Sequence, residues 1–229
     1  MSASPSGPLL VIDSASRRGL VAVVEAGTVL AEHAWDLGTT FSRELLTAID
    51  PVLDRSSRAR TDLAGIAVVT GPGGYGSLRA GVATAQGLAL ALDVPLAGVH
   101  RLELDAAPHL EAGPVVAVHD AGRSGLAWAA YERAEGGAPP RVLVEPRIDE
   151  AAACAASAPR GALWCGELTE DLREAWQHAG TDAREAEAAP PASRALGAVA
   201  LADAHDAFGD PAGVDVVYLR PPSITRPRS

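Results

Sequence analysis

Apolar and polar positions change period several times along the chain, and the changes divide it into strands and helices. Leu9 to Asp13 is a short apolar run, the pattern of a buried strand. Gly19 to Glu25 and Val29 to Leu37, joined through Ala26-Gly27-Thr28, read as a hairpin that follows it. From Ser42 the spacing becomes helical: Leu45, Leu46, Ile49, Val52 and Leu53 fall on one face, Ser42 is placed to cap the helix, and Arg55 to Arg60 end it. Leu63 to Val69 predicts a strand, Leu78 to Leu92 a second helix stopped ahead of Asp93-Val94-Pro95, and Leu96 to Val99 a further strand. The same order then recurs. Val115 to His119, Gly125 to Glu132 and Arg141 to Pro146 predict three strands, followed by a helix from about Asp149, a strand at Ala162 to Cys165 and a helix from Leu168 to Ala179. Arg101 to Pro114 reads as a short helix and turn between the halves. Asp182 to Ala192 reads as a solvated loop, Ser193 to Phe208 as a last helix, Val214 to Leu219 as strand-like, and the tail from Ser223 as mobile.

Three strands, a helix, a strand, a helix and a strand is the ribonuclease-H-like order. Its repetition predicts an α/β chain of two ribonuclease-H-like lobes, each a mixed five-stranded sheet with flanking helices. Actin, Hsp70 and the sugar kinases (the ASKHA fold) share that architecture, a step that rests on analogy of fold. The lobes are expected at residues 1–103 and 104–229, with the helix at about 193–208 a candidate to pack back on the first.

The helix from Leu78 to Leu92 carries more apolar surface than one sheet contact requires. At 100 degrees per residue, Leu78, Val82, Ala85, Ala89 and Leu92 form one side, and Ala80, Thr84, Gly87 and Ala91 form an opposite side that is small and uncharged. A second stripe of small side chains implies close approach by another helix, either the one starting at Ser42 or one from a second chain.

Composition narrows the chemistry. The chain has 229 residues, 48% of them apolar, enough for a sizeable core. All 19 basic residues are arginine, so a Schiff base, a phosphate-loop lysine and a lysine general base are excluded. With 29 acidic residues and a formal charge of −10, the surface should on balance repel phosphates, which is not the look of a protein that holds nucleic acid alone. Cys154 and Cys165 form no C-x-x-C pair and read as inert buried thiols, and the six histidines show no H-x-x-x-H pair, so no metal site is expected. No apolar run approaches the roughly 20 residues of a membrane helix, and Met1 to Pro8 lacks a signal layout; a cytoplasmic protein is expected.

The strongest local signal is Gly71-Pro72-Gly73-Gly74-Tyr75-Gly76-Ser77-Leu78-Arg79, between a strand and a helix. Its backbone could cradle an anion, with Gly73 and Gly74 as candidates, but the lysine of a phosphate loop is missing, and a tight turn needing glycine is at least as good a reading. Asp13 and Asp120 each end the first strand of a lobe. They are candidates to hold a hydrated metal and phosphates across the cleft, against the plainer reading that each caps a turn. No G-x-S-x-G elbow is present and no triad is suggested, so no catalytic residue is assigned.

These residues resemble the TsaB (YeaZ) family. Leu10-Val11-Ile12-Asp13-Ser14-Ala15-Ser16 is similar to its I-D-T-S opening, Phe41-Ser42-Arg43-Glu44-Leu45-Leu46 to its H-S-x-x-L-L helix, and Gly71 to Gly81 to its G-P-G-S-F-T-G-L-R-I-G signature. Ala83 to Ala89 resembles A-T-A-K-G-L-A, Pro95 to Val99 P-L-V-G-V, Asp120 to Arg123 D-A-R, and Val217 to Pro221 the Y-L-R-P ending. Phe41 stands where the family has histidine, and Gly74 to Ser77 where it has S-F-T-G.

The resemblance implies a non-catalytic subunit of the bacterial machinery that places threonylcarbamoyl on a tRNA adenosine. Its first lobe would bind a TsaD-like transferase through Ser42, Leu45, Leu46, Ile49, Arg79, Ala80, Ala83, Thr84, Gly87 and Ala91. It further implies a TsaE-like ATPase in the complex, a homodimer when the subunit is alone, tRNA met only through the complex, no membrane, and no intrinsic cofactor, with ATP or ADP at the partner junction. The alternative is a stand-alone ATPase or small-molecule kinase of the actin-like superfamily using Asp13 and Asp120. A peptidase, the superfamily's older label, has neither metal ligands nor a nucleophile to use here.

Overall fold

The computed structural model describes residues 5–36, 41–180 and 182–220, with the backbone alone at 41–43. Two five-stranded sheets of the same design form its two lobes, in the orders β3-β2-β1-β4-β5 and β10-β9-β6-β7-β8. In the first, β1 (Leu9–Asp13) lies between antiparallel β2 (Arg18–Glu25) and parallel β4 (Gly65–Gly71). β3 (Thr28–Asp36) and β5 (Leu96–His100) close its edges. β1 is apolar throughout because both its faces are covered. Leu10 and Ile12 point to a core shared with helices α1 (Phe41–Arg55) and α2 (Tyr75–Leu92). Leu9 and Val11 point the other way, to Ala195, Ala198, Leu201 and Ala202 of helix α6 (Pro191–Ala204).

The second lobe repeats the plan with β6 (Val115–Asp120), β7 (Leu126–Glu132), β8 (Arg141–Asp149), β9 (Leu163–Gly166) and β10 (Arg184–Glu185). Helices α4 (Ala151–Ser157) and α5 (Glu170–Ala179) cover one face around Trp128, Trp164 and Trp176. The chain passes between lobes through α3 (Arg101–Ala106) and returns through α6. α3 belongs to both lobes: Leu104 sits in the first core, and Leu102 and Ala106 sit in the second with Val115, Ala117 and Tyr131.

Four local expectations need correction. Val214 to Leu219 joins no sheet; it runs beside α2, donating from Val217 N to Thr70 O at 2.8 Å and accepting at Val214 O from Gln86 Nε2 at 2.8 Å. Val214 and Val216 are apolar because they pack into the first lobe, not because they form a ladder. The loop at Asp182 to Ala192 contains β10, two residues parallel to β9 that complete the second sheet. Helix α2 begins at Tyr75, not Leu78, since Gly74 supplies an extended N-cap, and α6 begins at Pro191, where a missing N–H costs nothing. Leu37, the capping side chain of Ser42 and the tail from Ser223 lie outside what is described.

Candidate functional site

Helix α2 rests on β1 through glycine. A Cβ on Gly81 would stand 2.0 Å from Ser14 Oγ, so only glycine permits this approach, and Leu78, Val82, Ala85 and Ala89 are buried beside it. The opposite face is open: Ala83, Gly87, Leu90 and Ala91 are exposed, and Ala80 and Thr84 half-buried. Leu90 is 64% exposed and Leu46 of α1 59%, two leucines in water. Arg79 is exposed at the first turn of α2. Leu45 and Ile49, expected at an interface, are instead fully buried core residues, because the i, i+4, i+7 line through Leu45, Ile49 and Val52 faces the sheet. Leu90 escaped the expectation although it lies seven residues beyond Ala83, on the same line of the helix.

Ion-paired side chains bridge the cleft between the lobes. Asp13 is wholly buried; its carboxylate accepts from Ala15 N at 2.8 Å, from Ser16 Oγ at 2.8 Å and from Arg194 Nε at 2.5 Å. Burial opposes ionisation of Asp13, yet the charge and hydrogen bond of Arg194, with those from Ser16 and Ala15, outweigh it and hold the carboxyl below its ordinary value. Arg194 also donates to Asp105 of α3. Arg101, buried at the start of α3, donates to Ala15 O at 2.8 Å and to Glu167 Oε1 at 2.7 Å, so it ties a first-lobe turn to the end of β9. His119 Nδ1 lies 2.8 Å from Glu167 Oε2. A second staple between α3 and α6 is His205 Nε2 to Glu103 Oε1, at 2.7 Å.

The structure therefore separates the two strand-end acids. Asp13 is neutralised inside the chain, while Asp120 is exposed and caps its own turn, accepting from Gly122 N at 2.8 Å. Gly73 is needed for space, since a Cβ there would meet Ala15 O at 2.5 Å, and Gly74 is the exposed N-cap of α2. Among the described residues no three His, Cys, Asp or Glu side chains gather as a metal ligand set. Both thiols are buried, and burial pushes Cys154 up to about 12. Sequence reasoning missed Arg101, Asp105, His119, Glu167 and Arg194. The available signal was the one arginine in the Ala-rich α6 and an Arg101–Asp105 pair at i, i+4 in α3.

This cluster makes stability depend on acid. Burial would raise Glu167, but its hydrogen bond from His119 and the charge of Arg101 bring it down to about 2 from 4.5, so its contribution is complete above pH 4.5 and lost as pH falls towards 2. His100 is held neutral by burial, down to about 4 from 6.5; the unfolded chain takes up that proton first, so stability declines as pH drops from 6.5 to 4. Each step is worth about 3 kcal/mol. Urea titrations at a series of pH values should show the decline beginning near pH 6.5, and His100→Asn should flatten its upper part. Constant stability between pH 7 and 4 would contradict the assignment.

The family model for TsaD, tRNA N6-adenosine threonylcarbamoyltransferase, matches residues 37–162. The tRNA threonylcarbamoyladenosine biosynthesis protein TsaB of Bacillus subtilis is 32% identical over 130 residues, 56% of this chain and 56% of that protein. TsaB of Escherichia coli is 33% identical over 132 residues, 56% of this chain and 57% of that protein. The chain thus spans about half the length of the TsaB relatives it matches. In fold it is similar to YeaZ from Pseudomonas aeruginosa, with a TM-score of 0.71 at 21% identity over 93% of this chain and 99% of that one.

Proposed function

Since this chain belongs to the tRNA N6-adenosine threonylcarbamoyltransferase family, on its TsaB/YeaZ side, we propose that it is a non-catalytic subunit of the tRNA threonylcarbamoyladenosine machinery that binds and supports a TsaD-type transferase. The observation that carries this reading is the open face of α2. Ala83, Gly87 and Ala91 keep the helix backbone accessible to a second helix, and Leu46 and Leu90 give that contact apolar area. The cleft supports the same reading, because the buried acid that a kinase of this fold would turn to a metal already holds Arg194. The stand-alone ATPase or small-molecule kinase is disfavoured on that ground.

In this reading the chain has no intrinsic cofactor, and ATP or ADP meets it at the transferase junction. A TsaE-like ATPase joins the pair, and the free chain self-associates through the same face of α2. Work in the cytoplasm away from membranes fits a structure in which no described helix is long and apolar enough to cross one. Co-expression with the TsaD-type transferase of the same genome should yield a complex stable at physiological salt, while the chain alone shows no transferase activity. Two proteins that elute apart would end the reading. Tight binding and turnover of Mg-ATP by the isolated chain, measured by calorimetry, would replace it with the kinase.

A further inference from the structure

Two of the chain's three tyrosines meet at one point of the surface. Tyr75, the first residue of α2 and 48% exposed, stacks on Tyr218 of the C-terminal segment with ring centroids 5.3 Å apart and planes 23° from parallel. Arg79, one turn along, donates to the Tyr75 hydroxyl at 2.8 Å, with its guanidinium carbon 5.4 Å from the ring centre. Beside the pair opens a cavity of about 200 Å³, walled by Gly73, by Ala121 and Ser124 of the second-lobe turn, and by Arg220. That is several times the roughly 30 Å³ share of one water.

Most described arginines are tied to a carboxylate, as Arg58 is to Glu25, Arg60 to Asp50, Arg173 to Glu185 and Arg194 to Asp13. Arg220 at the cavity wall and Arg123 in the neighbouring turn make no ion pair among the described residues. An exposed aromatic stack with uncommitted arginines around it suits a planar group that carries negative charge.

We infer that this cavity receives an unpaired base of an RNA, the base continuing the Tyr75–Tyr218 stack and its flanking phosphates meeting Arg79, Arg123 and Arg220. Stacking on an aromatic ring is available to any base once it is out of a duplex. With a formal charge of −10 the surface on balance repels phosphates, so the contact is local, on an RNA held chiefly by another subunit. Arg79 also borders the open face of α2, which puts the base at the seam with the partner. In this respect the inference rests on the function proposed above.

The test uses the complex of this chain with its TsaD-type transferase and, as probe, a fluorescent RNA stem-loop with an unpaired purine loop, read by anisotropy. Tyr75→Ala should weaken RNA binding roughly tenfold to a hundredfold with transferase affinity unchanged. Tyr75→Phe, which keeps the ring, should bind almost as wild type. Arg220→Ala should reduce the slope of log affinity against log salt by roughly one. Unchanged RNA affinity in Tyr75→Ala would overturn the inference. So would a parallel loss of transferase affinity, which would make the tyrosines a protein contact, or equal competition by free adenosine monophosphate, which would make the cavity a mononucleotide site. A wild-type complex that assembles but ignores the stem-loop also overturns it and leaves the proposed function standing. If no complex forms, the function fails, and Tyr75-dependent binding of the stem-loop by the chain alone would keep the inference.

Discussion

Arg194→Ala is expected to cost about 3–5 kcal/mol of stability, the range for removing one partner of a buried ion pair. In a chain of this size that lowers the melting temperature by roughly 10 °C. The loss comes less from the missing attraction than from what is left behind: Asp13 is wholly buried, and Arg194 is the cation that keeps it ionised there. Asp105 loses its Arg194 bond as well, and with it one of the two staples between the helices that cross from lobe to lobe. Two controls distinguish this cause from simple loss of packing. Asp13→Asn in the Arg194→Ala background should recover part of the stability, because an amide Oδ1 still accepts from Ala15 N and Ser16 N while its NH2 donates to Ser16 Oγ, with no charge to neutralise. The penalty should also shrink towards acid, where the stranded carboxyl takes up a proton at a higher pH than in the wild type. Thermal and urea unfolding of the variants test both points; equal destabilisation with and without Asp13→Asn would count against the buried charge as its source.

The fold could be read from the sequence because periodicity reports burial, and burial in this chain follows the sheets. The unbroken apolar run at Leu9 to Asp13 belongs to a strand covered on both faces, and the Leu78-Val82-Ala85-Ala89 line is the buried face of α2. Where periodicity misled, burial had another source. Val214 and Val216 are apolar because they pack against the first lobe beside α2, without sheet pairing. The long-range pairs of the cleft were not legible. Arg194 meets Asp13 across 181 residues and Arg101 meets Glu167 across 66, and no local spacing marks a pair that only the crossing of α3 and α6 brings together. The acids at the two strand ends looked equivalent in the sequence; the arginine that makes them different comes from a helix of the chain's last quarter.

Gly87→Ala should raise the stability of the isolated chain and weaken its complex with the transferase, an opposition that a purely structural glycine would not produce. Alanine in place of glycine inside a helix is favourable by about 1 kcal/mol. Within the chain a Cβ at Gly87 has nothing within 4 Å, so that gain meets no clash. A helix packed closely over the same stripe would meet the new methyl, and its affinity should fall several-fold. Ala83→Arg extends the logic to a much larger effect. Ala83 is exposed, and both residues favour helix, so stability should change by less than about 0.5 kcal/mol. A guanidinium forced into an apolar seam without a partner costs several kcal/mol, which corresponds to roughly a hundredfold or more in affinity. Calorimetric titration with the transferase and thermal unfolding of each free variant give the two readouts side by side. If both variants bind as the wild type does, the open face of α2 is not where the partner sits, and the exposure of Leu46 and Leu90 needs another cause.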